Sequence, residues 1–140
     1  MFGPAGHLYV YLSYGMHACM NVVTGRVGEG AAVLLRAAEP LEGVDEMRRL
    51  RGRESIHELC SGPGKLCEAF GIDRSSDGVD LVTDGSLWVA AGEPESSQRI
   101  ATGPRIGISV ATARPWRYAV RDDPWVSPGR RGRPISRPGS

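Results

Sequence analysis

The chain has 140 residues, of which 41% are hydrophobic, 24% charged and 6% aromatic, with a net charge of +1; this is the composition of one ordinary globular domain. No apolar run approaches the ~18 residues of a membrane span, and no basic segment leads into an apolar one at the start, so neither a membrane-spanning helix nor a secretory signal is predicted. The three cysteines, an odd number, are expected to be reduced thiols in the cytoplasm.

The first predicted element is a β-hairpin. Residues 7–12 alternate so that Tyr9 and Tyr11 share one face of a strand. Gly15 can adopt the positive φ of a tight reversal. Residues 19–23 then return as the second strand of the hairpin.

A third strand and a helix are expected next. Residues 31–37 (AAVLLRA) form a nearly continuous apolar run, which is typical of a strand buried on both faces. Pro40 opens a helical stretch over residues 41–50, and Gly52 ends it.

Two shorter helices follow in the predicted order. Ser55 is expected to cap the first of them, which reaches residue 59, with Glu58 as its capping-box partner. After a tight loop, the second covers residues 65–70 and is stopped by Gly71.

The last third of the chain is predicted to hold short strands over residues 87–90, 105–110 and 117–120. Residues 127–140 are rich in Pro, Gly, Ser and Arg, which predicts a disordered basic tail. The tail has four arginines and no acid, so residues 1–126 carry a net charge of −3. A nucleic-acid function must therefore rest on a local site. The expected fold class is α+β with a strand-rich core.

Three of the four tyrosines fall within six positions, at Tyr9, Tyr11 and Tyr14. One interpretation is structural, because tyrosine favours half-buried strand surfaces. The other is functional: Tyr11 would face a pocket, and Tyr14 at the hairpin tip would fill the gap left by an extruded base. The spacing alone leaves both interpretations open.

Asn21 and Arg36 are polar residues inside predicted strands. A buried amide needs hydrogen-bond partners and a buried guanidinium needs an acid, for which Glu39 and Glu42 are nearby in sequence. Spacing does not decide whether these side chains serve the structure or a binding site.

The segment Gly62-Pro63-Gly64-Lys65 precedes a helix and superficially resembles a phosphate loop. It lacks the GxxxxGK[ST] spacing, and Leu66 stands where a magnesium-binding hydroxyl would be, so nucleotide hydrolysis is not predicted. Gly62, Gly64 and Lys65 at the helix start are candidates for holding one DNA phosphate. The alternative is a connecting turn.

Five blocks stand in order along the chain: MFGPAGHLYVYLSYGMHACMNVVTG, AAVLLRAAEPLEG, LCSGPGKLCEAFGI, GPRIGIS and PWRYAV. Together they resemble the alkyladenine (3-methyladenine) DNA glycosylase family over residues 1–126. The resemblance implies a single compact domain with a curved, mostly antiparallel sheet and a protruding β-hairpin that enters the DNA minor groove. It also implies a monofunctional alkylpurine DNA N-glycosylase of base excision repair, a hydrolase that needs no metal or cofactor.

The resemblance assigns roles to individual residues. Tyr14 is similar to the intercalating wedge, and Met16 to a second hairpin residue that packs against DNA. Tyr11 resembles one wall of the pocket that stacks on the flipped base. Asn21 resembles the residue that excludes the amino group of normal guanine, and Arg36 a pocket-lining arginine. The implied partner is double-stranded DNA with alkylated or deaminated purines, bound by a monomer in a bacterial cytoplasm, without membrane association.

In the family, the glutamate that acts as general base lies upstream of the MFGP block, which here starts at Met1. We therefore expect an incomplete glycosylase domain over residues 1–126, and little or no excision by the 140-residue chain alone. Two alternatives stay open. One is a non-catalytic module that binds damaged DNA, and the other is a misassigned reading frame that does not fold stably.

Overall fold

A computed structural model of the protein describes residues 1–13, 17–83, 85–105 and 114–126. The chain divides into two compact units, Met1–Ala91 and Gly92–Ser140. In the described residues, the first unit holds a three-stranded antiparallel sheet and two α-helices, and the second holds a two-stranded antiparallel sheet. This confirms the α+β class. No helix in the described ranges is long and apolar enough to cross a membrane.

The sheet of the first unit consists of β1 (Leu8–Ser13), β2 (His17–Thr24) and β3 (Ala31–Leu34), in the spatial order β1-β2-β3. β1 and β2 pair in an antiparallel register over the whole of β1. Both strands of the predicted hairpin and their pairing are therefore confirmed. The residues between them, 14–16, lie outside the described part of the chain.

β3 is shorter and more exposed than its apolar sequence predicts. It ends at Leu34 instead of residue 37, and the side chain of Val33 is exposed to solvent. The prediction of a strand buried on both faces is therefore wrong. In the described residues β3 pairs only with β2 and forms an edge of the sheet. At this margin fewer neighbouring side chains cover it than cover a central strand.

The helices predicted over residues 41–50 and 65–70 are present with shifted bounds: α1 covers Val44–Arg51 and α2 covers Pro63–Ala69. Each ends as predicted near a glycine in the left-handed region, Gly52 (φ 63°) and Gly71 (φ 64°). α1 begins later than expected because Gly43, directly before it, is also left-handed (φ 71°). A right-handed helix cannot include a residue in this conformation, so the residues before Gly43 do not join α1.

Two local predictions are wrong. Ser55 precedes a 3₁₀ turn (Ile56–Glu58), but its side chain makes no capping hydrogen bond, so the capping box is absent. Residues 87–90 do not form a strand. Within this segment, the N–H of Val89 donates a hydrogen bond to the carbonyl of Leu81 (2.9 Å).

The second unit has a β-ribbon made of β4 (Ile100–Gly103) and β5 (Arg117–Val120). β5 has the predicted bounds. β4 was not predicted, because four residues with the small side chains of Ala101 and Gly103 carry little apolar alternation. Apart from Arg105, the strand predicted over residues 105–110 lies outside the described residues.

The hydrophobic core of the first unit lies between one face of the sheet and the two helices. Leu8, Val10 and Met20 enter it from β1 and β2, and Leu66 enters it from α2. Leu59, in the segment between the helices, is completely buried. All three cysteines are free and buried. The core occupies one face of the sheet, and the other face carries a different set of side chains, some buried and some half-buried.

Candidate functional site

One face of the three-stranded sheet carries aromatic and polar side chains where the other carries core residues. Directly opposed residues of antiparallel strands point to the same face. Tyr9 lies opposite Asn21, and Tyr11 lies opposite Cys19. These four side chains therefore share the face that is turned away from Leu8, Val10 and Met20.

Arg36 joins this face from β3. The N–H of Leu35 donates to the carbonyl of Met20 (3.0 Å), so the backbone pairing continues one residue beyond β3. The same register places Arg36 opposite Cys19. The guanidinium interacts electrostatically with Tyr11 and Cys19, which confirms that it lies beside them. We call Tyr9, Tyr11, Cys19, Asn21 and Arg36 the tyrosine face.

The two tyrosine rings lie side by side. Their centroids are 5.7 Å apart and their planes are tilted by 33°. Tyr11 is half-buried, and burial raises the pKa of its hydroxyl, with the hydrogen-bonded thiol of Cys19 acting in the same direction. The hydroxyl is neutral at physiological pH, as it is at its ordinary pKa, and the thiol of Cys19 lies 3.9 Å from the carbonyl oxygen of His17, to which it donates.

Cys19 is a member of the face that the sequence did not single out. Burial raises the pKa of its thiol, while the hydrogen bond with Tyr11 and the charge of Arg36 oppose this effect. The signal that could have revealed it is the hairpin register, since the predicted strands would place position 19 opposite position 11.

Asn21 is only 6% exposed, and its amide nitrogen donates to the backbone carbonyl of Tyr9 (3.3 Å). Because a carbonyl accepts hydrogen bonds and cannot donate them, this contact fixes which way the amide points. The amide oxygen makes no hydrogen bond to any described residue. It is therefore left as a fixed acceptor on the tyrosine face.

Arg36 is half-buried, and burial lowers the pKa of its guanidinium. The ion pair considered from the sequence, with Glu39 or Glu42, does not form, and no described residue gives Arg36 an ion pair or hydrogen bond. A partly desolvated cation without an acid is costly in a purely structural role. Its donors are thus available to a ligand.

The tyrosine face has no acid beside it. The groups that act on the pKa values of Tyr11 and Cys19, and on that of Arg36, are one another and Tyr9, and no carboxylate of the described residues is among them. Within the described ranges, no group of His, Cys, Asp and Glu side chains is arranged to hold a metal ion. The face can stack on a flat ring and exchange hydrogen bonds with it, but it presents no described general base.

The remaining predicted site residues stay predictions. Tyr14 and Met16 lie outside the described residues. Lys65 is exposed at the start of α2, where its ammonium group lies 3.4 Å from the hydroxyl of Ser61. At Gly64, an added Cβ would lie 3.2 Å from the Cβ of His17, so close packing of α2 on β2 is a structural reason for this glycine.

An apolar cavity of about 200 Å³ lies on the opposite side of the sheet, against the core. Its lining includes Leu8, Met20 and Leu35, together with Phe70 and Trp88. It is separate from the tyrosine face and lacks the polar groups that orient a ligand. The aromatic and polar face is thus the better candidate for recognition of a base.

The comparisons with known proteins agree with one another. Residues 1–124 match the family described as methylpurine-DNA glycosylase (MPG). A protein of Carboxydothermus hydrogenoformans is 46% identical over 127 residues, which is 91% of this chain and 66% of that protein. A protein of Agrobacterium fabrum is 50% identical over 127 residues, covering 91% of this chain and 63% of its own. Both carry the name "Putative 3-methyladenine DNA glycosylase". The chain thus spans slightly less than two thirds of the length of these relatives.

Proposed function

Because the chain belongs to the methylpurine-DNA glycosylase family, we propose that the whole protein flips alkylated purines out of double-stranded DNA and hydrolyses their N-glycosidic bonds. The observation that carries the proposal is the tyrosine face. It combines two neighbouring, tilted tyrosine rings, a fixed amide and a guanidinium without an acid partner among the described residues on one side of the sheet. A flat heterocycle fits such a surface better than an apolar or strongly acidic ligand does.

Stacking on Tyr11 supplies the preference for damage. Alkylation at N3 or N7 makes a purine cationic, and electron-rich rings bind a cationic ring better than a neutral one. Damaged bases are also easier to unpair, so the flipping step itself favours them. Arg36 is itself cationic and would repel such a base at close range. Its donors are better suited to the phosphates that flank the flipped nucleotide.

Asn21 gives the tyrosine face its selectivity against normal guanine. Its buried amide is held by the carbonyl of Tyr9 and cannot turn aside without losing that hydrogen bond. The exclusion would be steric, because an amino group is a donor and the free amide oxygen is an acceptor: the fixed side chain would occupy the space that the guanine amino group needs. Deaminated purines such as hypoxanthine lack that amino group, so they enter together with the alkylated ones.

The β1–β2 hairpin is proposed to enter the minor groove. Tyr14 would fill the space left by the flipped base, and Met16 would pack against the neighbouring nucleotides. The protein would act as a monomer on chromosomal DNA in the cytoplasm. The two-strand ribbon formed by β1 and β2 is the support for such an arm.

The first test is damage-selective binding. Fluorescence anisotropy would compare a duplex that contains hypoxanthine or an N3-methylated adenine, neither of which carries the amino group of guanine, with an undamaged duplex of the same sequence. Tyr11→Ala is expected to reduce the preference about tenfold, since base stacking on an aromatic ring contributes about 1–3 kcal/mol. Tyr11→Phe, which keeps the ring, is the matched control and should retain it. Equal affinity of the unaltered chain for both duplexes would refute the proposal.

The second test concerns catalysis, because no carboxylate of the described residues acts on the tyrosine face. Single-turnover excision would be measured for the 140-residue chain and for a chimera that carries, ahead of Met1, the corresponding segment of a relative with its glutamate. We expect the chain to be slower by about 10²–10⁴-fold, the usual contribution of a positioned base. Equal rates would place the general base within the chain.

The absence of an acid in the described surroundings of Tyr11 and Arg36 also favours a second candidate function, recognition of damaged DNA without excision. Selective binding by both proteins, together with no excision by the chimera, would support this candidate over the glycosylase.

A further inference from the structure

A second cationic and aromatic surface lies in the unit that begins at Gly92. The guanidinium carbon of Arg114 lies 4.9 Å from the centre of the Trp116 ring, and that of Arg105 lies 5.8 Å from it. Both distances are within the range of cation–π contacts. We call Arg105, Arg114, Trp116 and Tyr118 the Trp116 patch.

The patch faces solvent because of the alternation along β5. The side chain of Arg117 is buried, whereas Trp116 and Tyr118 on either side of it are 53% and 66% exposed. Thr102 of β4 lies opposite Tyr118 and shares its face. Two large aromatic side chains therefore remain exposed on one face of the ribbon. Burial of such side chains lowers the free energy of a folded protein, so their exposure is a cost that binding of a partner would remove.

Within the described part of the chain, the two arginines of the patch have no acid partner. No described residue forms an ion pair with Arg105 or Arg114, or a hydrogen bond with either guanidinium. Of the acids in this unit, Glu95 is paired with Arg99, and Asp123 accepts a hydrogen bond from the N–H of Trp125. Two like charges held on one ring repel each other, and an anion placed between them would relieve that repulsion.

We propose that the Trp116 patch binds the sugar-phosphate backbone of DNA. Guanidinium groups bind phosphate oxygens through paired hydrogen bonds, and the ring restricts their motion before the ligand arrives. Exposed aromatic rings beside arginines are typical of surfaces that hold nucleic acid strands. The patch supplies a local positive surface in residues 1–126, whose net charge is −3. This inference rests on the proposed function, since it takes its ligand to be the DNA that the protein repairs.

The experiment measures the affinity of the 140-residue chain for undamaged and damaged duplexes across a series of salt concentrations. The variant Arg105→Ala/Arg114→Ala removes two phosphate contacts. The slope of log affinity against log salt should therefore become shallower by about 2, with equal losses on both duplexes. The matched control Arg53→Ala/Arg74→Ala removes the same charge from exposed arginines elsewhere and should change the slope less.

A photo-crosslinking measurement keeps the test decisive if the double variant unfolds. A photoreactive phenylalanine in place of Tyr118 should crosslink to duplex DNA, whereas the same group in place of the exposed Leu41 should not. The inference would be overturned by equal salt slopes for the two double variants. It would also be overturned if the chain binds DNA without a crosslink at position 118. Either result would leave the proposed function standing. No binding of any duplex at low salt would overturn both.

Discussion

Burial shifts the pKa values of three side chains of the tyrosine face. Desolvation raises the pKa values of Tyr11 and Cys19, which are neutral near pH 7 even at their ordinary values, and lowers that of Arg36, which remains a cation. A buried group whose pKa has moved is one that a ligand can affect strongly, because ligand binding changes its solvation again.

The buried thiol of Cys67 makes stability depend on alkaline pH. Burial raises its pKa from the usual 9.0 to about 11, so between these values the native state holds a proton that the unfolded chain has released. The contribution is fully present below pH ~9 and is lost as the pH rises through ~11, with a size of about 2–3 kcal/mol. Urea unfolding over this range should show falling stability, and Cys67→Ala should show a shallower fall. Parallel curves for the two proteins would contradict the assignment.

Leu59 tests the core at a single position. Its side chain is 0% exposed, so Leu59→Ala should lower the free energy of unfolding by about 2–5 kcal/mol through lost transfer energy and the cavity left behind. Leu41, which is 79% exposed, is the matched control, and Leu41→Ala should change stability by less than about 0.5 kcal/mol. Chemical denaturation of both variants decides the point. Similar losses would mean that Leu59 is not a core residue.

At the scale of elements, the ends of the helices are determined locally. After α2, the N–H of Ile72 donates to the carbonyl of Cys67 (2.9 Å) and the N–H of Gly71 donates to that of Glu68 (3.1 Å). This pair of bonds is a Schellman motif, which satisfies two carbonyls that the helix leaves free. The motif requires a left-handed residue, which is why glycine in the sequence predicts the end of the helix so well.

The same reasoning applies to Gly52 at the end of α1. An added Cβ would meet nothing within 4 Å there, so the cost of Gly52→Ala comes only from the left-handed backbone. We expect a loss of about 1 kcal/mol in unfolding free energy. Gly92, which also has open space around it but no left-handed φ, is the control, and Gly92→Ala should not destabilise. Thermal melting of the two variants gives the comparison; an unchanged melting temperature for Gly52→Ala would refute the backbone argument.

At the scale of the whole molecule, charge is distributed unevenly. Residues 1–126 carry −3, and the last fourteen residues add four arginines without an acid. Bulk attraction to DNA is therefore weak outside this tail, and short-range contacts must supply the orientation of the protein on the duplex. The tyrosine face and the Trp116 patch are the two places that we propose for such contacts, and each lies within a single compact unit.

Affinity for DNA should nevertheless fall steeply with salt, because each phosphate contact releases counterions. Deleting residues 127–140 removes four arginines and should make the salt slope shallower by up to about 4. The ratio of affinities for damaged and undamaged duplexes should not change, since the tail reads no base. Titrations of both chains between low and moderate salt test this. An affinity that does not vary with salt would count against DNA as the ligand.

By itself the sequence determined the family, the α+β class, the β1–β2 hairpin, the glycines that end the helices and the shared face of Tyr9 and Tyr11. These follow from local periodicity and from backbone conformations that only glycine adopts readily. Only the tertiary structure decided that β3 pairs with β2 alone among the described residues, that Arg36 comes to lie opposite Cys19 without a described ion pair to Glu39 or Glu42, and that two arginines meet at Trp116. Strand register and desolvation bring together residues that are distant along the chain, and neither quantity is encoded in any short stretch of sequence.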